Sequence, residues 1–164
     1  MAGSNTLRKS LFHHRHDSNM HLIQGMPEYV LNKLQSVQNT LARVVTRSDA
    51  LTSAAPLLVK LHWLPIRQRI SYKLATLTFR VRTTSTPQYL SSLLSVPRST
   101  GYSLRSTNRP LLTVPRTRTS TAGRRFSCAG PLVWNTLPDS VVYCDTFRGF
   151  KRKLKTHLTG LAAN

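Results

Sequence analysis

The stretch that decides the fold reads Leu61-His62-Trp63-Leu64-Pro65-Ile66-Arg67-Gln68-Arg69-Ile70 and continues to Val81. Pro65 is suited to the start of a helix, because the first N–H groups of a helix have no partner and proline lacks that donor. From there, apolar residues recur every three or four positions and fall in a stripe about 80° wide. The stripe consists of Ile66, Ile70, Leu74, Leu77 and Val81. The spacing therefore predicts a long buried helix that begins after Pro65.

Cations follow one flank of this predicted helix. Arg69, Lys73 and Arg80 lie within about 40° of one another by helical geometry. Tyr72 and Phe79 lie on the other flank, so the helix can bury two faces and keep its cations on an edge. That edge is either a solvated face or part of a binding surface.

The charge of the chain is extreme. Its 164 residues include 24 Lys and Arg but five Asp and Glu, which gives a formal net charge of +19. Such a chain repels itself unless a polyanion or counterions bind to it. Nucleic acid is the first candidate for the polyanion, and an anionic membrane surface is the second. No apolar run approaches the ~18 residues that span a bilayer, so we predict no membrane span.

Composition divides the chain into four regions. Residues 1–16 form a basic leader that we expect to be disordered, and residues 17–95 form a helical region around the central helix. Residues 96–125 are a linker rich in Arg, Ser, Thr and Pro, which we expect to be ordered mainly when bound. Residues 126–160 form a C-terminal helical tail region. The predicted fold class is mainly α: a small helical bundle with a basic, partly disordered linker and a C-terminal helix.

Two more long helices are predicted. The first begins near Pro27 and ends near Thr46, with Glu28 suited to the positive end of its dipole. The last begins after Asp145 or Thr146 as N-cap and ends near Leu158. Their predicted buried residues are Val30, Leu34, Val37, Leu41, Val44 and Val45 in the first, and Phe147, Phe150, Leu154 and Leu158 in the last.

The sequence also allows one short β-hairpin. Leu111-Leu112-Thr113-Val114 is the one clear apolar run of the linker and would form a strand. Residues 126–129 are its candidate partner, and residues 131–137 are read as a helical turn that Pro138 ends.

Residues suited to catalysis are scarce. Asp139 and Asp145 are the one close pair of acids, and Asp145 suits a helix cap rather than general acid–base work. Cys128, Cys144 and His157 lack the short ligand spacing of a zinc site, and nothing near Cys128 marks it as an activated nucleophile. We therefore predict two free thiols, no enzymatic activity, no metal and no cofactor.

Binding to a phosphate backbone is the chemistry that the cations favour. Two basic helix flanks and an Arg-rich linker form a track for RNA or DNA. Because most aromatic residues are expected in the core, we predict weak sequence preference. The predicted contact residues are Arg69, Lys73, Arg80, Arg105, Arg109, Arg116, Arg118, Arg124, Arg125, Arg148, Arg152 and Lys155.

Several blocks, taken in order, resemble one family. They comprise residues 61–70, 87–94, 114–118, 126–131, 134–135, 137–138 and 150–158, with weaker blocks at 25–27 and 32–39. Together they resemble the segment that follows the catalytic core in LINE-type (non-LTR, jockey-like) retrotransposon reverse transcriptases. The resemblance covers about residues 17–158.

The resemblance implies a thumb and C-terminal tail, parts that grip template and primer. These residues contain no aromatic-Ala-Asp-Asp run, so the palm aspartates that hold the metal ions in that family are not matched. The resemblance thus implies a non-catalytic, thumb-like remnant that binds RNA or DNA. The family commonly has Gly where Thr84 stands, which would close a helix in a left-handed conformation, and apolar residues at Arg82 and Ser85. Such departures fit a decayed genomic copy.

Two alternatives stay open. The chain is either an inert translated relic, or a protein-interaction module that docks on a complete reverse transcriptase. We expect the nucleus or cytoplasm as its location. The leader also has the basic, acid-free composition of a mitochondrial transit peptide, which is the less favoured interpretation. The sequence does not indicate an oligomeric state.

Overall fold

The computed structural model describes residues 26–96 and 109–163. This part of the chain is mainly helical and contains no β-strand, which confirms the predicted fold class. The predicted leader, 1–16, lies outside the described residues. The helices are α1 (Glu28–Thr46), α2 (Ala54–Lys60), α3 (Ile66–Thr84), α4 (Gln88–Ser91), α5 (Ser120–Gly123), α6 (Phe126–Thr136), α7 (Asp139–Val142) and α8 (Phe147–Ala163).

Helix α3 is the central element and contacts α1, α4, α6 and α8. It begins directly after Pro65, as predicted, and it ends at Thr84. The predicted stripe is buried at Ile66, Ile70, Leu74 and Val81, whereas Leu77 is half-buried. A second face, with Ala75, Thr78 and Phe79, is buried as well, because α6 and α8 both pack on α3.

An aromatic cluster joins α3, α6 and α8. The ring centroid of Phe79 lies 4.3 Å from that of Phe150 and 6.4 Å from that of Trp134. The Trp134 and Phe150 centroids are 5.9 Å apart, and both side chains are almost fully buried. Stacked and tilted pairs at these separations stabilise a core beyond the area that they bury. The cluster therefore fixes how the three helices meet.

Helix α6 replaces the second strand of the predicted hairpin, so that prediction is wrong. Residues 126–129 form its first turn, in which the N–H of Ala129 donates to the Arg125 carbonyl at 2.9 Å. Small residues let α6 approach α3 closely: a Cβ on Gly130 would lie 3.0 Å from Oγ1 of Thr78. The spacing of Ala129 and Val133 along one helix face is the signal for this helix, and Pro131 within it obscured that signal.

The first strand of the predicted hairpin is an extended segment packed on α6. The side chain of Asn135 binds both backbone groups of Leu112, at 3.0 Å to the N–H and 2.9 Å to the carbonyl. Trp134 Nε1 donates to the Pro110 carbonyl at 2.9 Å. A single carboxamide thus takes the place of the missing strand. These hydrogen bonds hold residues 109–115 of the predicted linker against α6. Leu112 also packs in the hydrophobic core.

Helix α1 has its predicted ends but a different buried face. Leu31, Gln38 and Ala42 are buried, whereas Val37 and Val44 are 56% and 67% exposed. Val45 is also exposed, and the other predicted members, Val30, Leu34 and Leu41, are half-buried. The predicted face is therefore wrong at Val37, Val44 and Val45.

Two glutamines explain why α1 turns its more polar side inward. The N–H of Ile66, at the start of α3, donates to Oε1 of Gln35 at 2.9 Å. Gln38 Nε2 donates to the Leu64 carbonyl at 2.9 Å. These hydrogen bonds pair backbone groups at the start of α3 that would otherwise lack partners. Hydrogen bonding to these backbone groups therefore orients α1 relative to the start of α3.

The ends of α3 and α8 are set by local groups. Thr146 caps α8, because its Oγ1 accepts the N–H of Gly149 at 3.1 Å. A Cβ on Gly149 would lie 2.8 Å from that oxygen, so glycine leaves room for the cap. Helix α8 continues five residues past its predicted end at Leu158. At the end of α3, Thr84 stays helical and Ser85 has a left-handed backbone (φ 54°). The left-handed residue that ends the helix is therefore residue 85, one residue after the position at which the resemblance implies it.

Candidate nucleic-acid interface

A basic concavity lies between α3 and α8, which we name the α3–α8 groove. It encloses about 180 Å³. Helix α3 contributes two cations one turn apart, Arg69 and Lys73, and α8 contributes Lys151 and Lys155 at the same spacing. Its lining consists of His62, Leu64, Arg69, Tyr72, Lys73, Thr76, Lys151 and Lys155.

Antiparallel packing of α3 and α8 brings these cations together. Late in α3, Phe79 stacks on Phe150 near the start of α8. Earlier in α3, Lys73 shares the groove with Lys155, one turn further along α8. The two helices therefore run in opposite directions, and each presents one i, i+4 pair of cations to the same space.

The groove has a strongly positive electrostatic character. Four Lys and Arg side chains line it, and no Asp or Glu is among the lining residues. Like charges in a concavity with low-dielectric walls raise the local positive potential and attract anions. Lys151 is held in part by an aromatic ring, since its Nζ lies 5.4 Å from the centroid of Phe147. The arrangement can bind a phosphate group with ammonium and guanidinium donors from two sides.

Three of the four groove cations are among the contact residues that the sequence predicts, and two other lining residues are not. Arg69, Lys73 and Lys155 were predicted, and the structure brings them together. Lys151 and His62 are not among the predicted contact residues. The spacing of Lys151 four residues before Lys155 was a usable signal, but His62 had none, because it enters from the turn before α3.

Other predicted cations lie outside the groove. Arg80, Arg148 and Arg152 are exposed on α3 and α8, and Arg116, Arg118 and Arg125 are exposed between Leu112 and α6. Arg124 is half-buried, and its Nε is buried without a hydrogen-bond partner. Arg105 lies outside the described residues.

Arg109 is placed within the fold. Its guanidinium donates to the carbonyl of Leu137, and its Nε lies 3.4 Å from Oδ1 of Asp139. These contacts attach the start of the extended segment to the end of α6. The placement favours a structural role over the predicted phosphate contact.

Arg82 is a further cation that packs within the fold, against the ring of Trp134. Its guanidinium carbon lies 4.6 Å from the ring centroid of Trp134. Burial lowers the pKa of the guanidinium below its ordinary value, and the cation–π contact with the indole compensates in part for lost hydration.

The two cysteines are free thiols, Cys128 buried and Cys144 half-buried. Within residues 26–96 and 109–163, no three His, Cys, Asp or Glu side chains are grouped so that they could hold a metal ion. Among the described helices, none has the length and apolar character needed to cross a membrane.

Comparison with protein-family models, curated proteins and solved structures found no match for this chain.

Proposed function

We propose that this protein is a non-catalytic nucleic-acid-binding protein that holds RNA or DNA by its phosphate backbone in the α3–α8 groove. One observation carries the proposal: four cations from helices about 80 residues apart in sequence line one concavity without an acid. Exposed Arg80, Arg148 and Arg152 on the same two helices extend the positive surface for the rest of a strand.

The resemblance to the thumb and tail of LINE-type reverse transcriptases supports the same proposal independently. A thumb grips template and primer and needs no metal-binding acids of its own. We infer from these sequence blocks that the chain descends from such an enzyme and acts without catalysis, in the nucleus or cytoplasm.

The proposal predicts steep salt dependence of binding. The affinity for a single-stranded oligonucleotide, measured across a series of salt concentrations, should give a log–log slope steeper than about −4, which corresponds to roughly five or more neutralised phosphates. Binding that is absent, or insensitive to salt, would contradict the proposal.

A matched pair of variants locates the interface. Lys73→Gln with Lys155→Gln removes two groove cations and should make the slope shallower by about 1.4–1.8. Lys60→Gln with Lys153→Gln removes the same charge from exposed positions that do not line the groove. Equal losses in the two double variants would show that only net charge matters.

A protein-interaction module is the second candidate, because α1 leaves apolar side chains uncovered. Val37 and Val44, seven residues apart, are mostly exposed, and Leu34 and Leu41, each three residues before one of them, are half-buried. Their three-four-three spacing matches the seam of a coiled coil. A complete reverse transcriptase that binds the wild type but not Val37→Glu would favour this candidate.

The inert relic makes a different prediction. A chain without selected activity should show weak helicity and no sharp transition when circular dichroism is followed on heating. Cooperative melting together with salt-dependent binding would exclude it.

A further inference from the structure

A second and larger cavity lies beside the start of α3. It encloses about 550 Å³ between α1, the beginning of α2 and the first turn of α3, and Leu161 of α8 also lines it. Carboxamide side chains from two helices line it: Asn32, Gln35 and Asn39 from α1, and Gln68 from α3. We name it the amide cleft.

The amide cleft differs from the α3–α8 groove in charge. It contains two cations, and both are engaged: Arg67 forms an ion pair with Glu28, and Arg43 Nε donates to the Thr52 carbonyl at 2.9 Å. Its remaining polar lining is mostly neutral, and Leu31, Leu58 and Ile66 supply apolar surface. Such a site selects a ligand by hydrogen bonds and apolar contact rather than by charge.

One hydrogen-bonding group in the amide cleft is unsatisfied. Gln35 is committed, since its Oε1 accepts the Ile66 N–H and its Nε2 donates to Asn39 Oδ1 at 2.8 Å. Oε1 of Gln68, in contrast, is buried and accepts no hydrogen bond. Buried polar atoms are rarely left unpaired, so the half-buried Gln68 side chain gains a hydrogen bond when it turns this carbonyl oxygen toward a ligand donor in the cleft.

The amide cleft and the groove are adjacent. Gln68 and Arg69 are neighbours in sequence and differ by about 100° around α3, so one lines the cleft and the other the groove. The turn between α2 and α3 borders both cavities, with Leu64 in the groove lining and Pro65 in the cleft lining. A strand whose phosphates occupy the groove can pass this turn and place a neighbouring nucleotide at the cleft.

We propose that the amide cleft binds an unpaired nucleobase of the strand that the α3–α8 groove holds. Each base has adjacent donor and acceptor groups on its Watson–Crick edge, which a carboxamide with its paired acceptor and donor complements. The apolar floor contacts the base face. The cleft volume is within the ~300–1,000 Å³ range of small-molecule sites, enough for a nucleotide and too small for a duplex. This inference rests on the proposed function of the groove.

The test compares two strands of equal charge. One is an ordinary single-stranded oligodeoxynucleotide, and the other is the same length built entirely of abasic residues. The wild type should bind the ordinary strand at least about fivefold more tightly, the low end of what a base contact contributes. Gln68→Met, which keeps side-chain length but loses the carboxamide, should bring this ratio close to one.

Controls separate the two proposals. Lys73→Gln with Lys155→Gln should weaken binding of both strands alike and leave their ratio unchanged. If Gln68→Met fails to fold, as judged by melting, Asn32→Leu on the exposed rim of the cleft takes its place. Equal affinity of the wild type for both strands, or a ratio that neither variant lowers, would overturn the base-binding site. Absence of salt-dependent binding to either strand would instead refute the groove.

Discussion

His62 has a left-handed backbone conformation, with φ 55°, at the end of α2. The N–H of His62 donates to the Val59 carbonyl and that of Trp63 to the Leu58 carbonyl, both at 2.9 Å. This is the hydrogen-bond pattern of a Schellman motif, in which glycine usually occupies the left-handed position. Leu58 and Trp63 pack in the same apolar cluster, the contact that commonly accompanies the motif. A β-carbon at residue 62 is therefore strained, while the imidazole lines the groove.

Replacing His62 with Gly should raise the free energy of unfolding by about 0.5–1 kcal/mol, because glycine adopts this conformation without the β-carbon clash. His62→Ala is the control, since it removes the imidazole but keeps the β-carbon. Urea denaturation measures both. A Gly variant no more stable than the Ala variant would show that residue 62 carries no backbone strain.

At the scale of the element, the three long helices differ in how well their periodicity indicates their buried side. The apolar stripe of α3 is buried because α1, α4, α6 and α8 all contact this helix. In α8, Phe150, Leu154 and Leu158 are buried as predicted, and Phe147 is partly exposed. The stripe of α1 is partly open to solvent, since the hydrogen bonds of Gln35 and Gln38 to the start of α3 orient that helix.

Two substitutions test this difference. Leu74 in α3 is 1% exposed, so Leu74→Ala should lower the free energy of unfolding by about 2–5 kcal/mol through lost burial and a cavity. Val37→Ala in α1 should cost less than about 0.5 kcal/mol, since that side chain is mostly exposed. Chemical denaturation of both variants gives the values. A loss below about 1 kcal/mol for Leu74, or a larger loss for Val37 than for Leu74, would contradict the helix orientations.

At the scale of the whole molecule, the net charge of +19 opposes folding. Charge repulsion is strong in the groove, because two like-charge pairs lie there, each one helical turn apart. The pairs are Arg69 with Lys73 and Lys151 with Lys155. Each such pair destabilises a helix by roughly 0.2–0.5 kcal/mol at low salt. Residues that destabilise the unbound fold and converge on one surface are typical of a binding site.

Relieving this repulsion should stabilise the protein. The double variant Lys73→Gln with Lys155→Gln relieves both pairs and should unfold with a free energy about 0.4–1 kcal/mol higher than the wild type at low salt. The advantage should shrink as salt screens the charges, and the wild type itself should melt at higher temperature in ~0.5 M salt than in ~0.05 M salt. Melting curves across a salt series provide the check. A melting temperature independent of salt would argue against repulsion in the groove.

Features that depend on neighbouring residues in sequence were predictable. Pro27, Pro65 and Thr146 mark the helix starts, because proline and threonine act on the backbone within one turn. The stripe of α3 and the excess of cations are likewise local or compositional facts. They suffice to predict a mainly helical, strongly basic protein and three of the four groove cations.

Only the tertiary structure decided which helix sides meet. The orientation of α1, the helix at 126–129, the setting of Arg109 and the meeting of Lys73 with Lys155 all depend on partners many residues away. A helical period defines a stripe but not the neighbour that covers it, and a charge count does not say which cations share a concavity. Packing around Phe79, Trp134 and Phe150 sets how α3, α6 and α8 meet, because the buried rings fit together in one arrangement, and the hydrogen bonds of Gln35 and Gln38 orient α1.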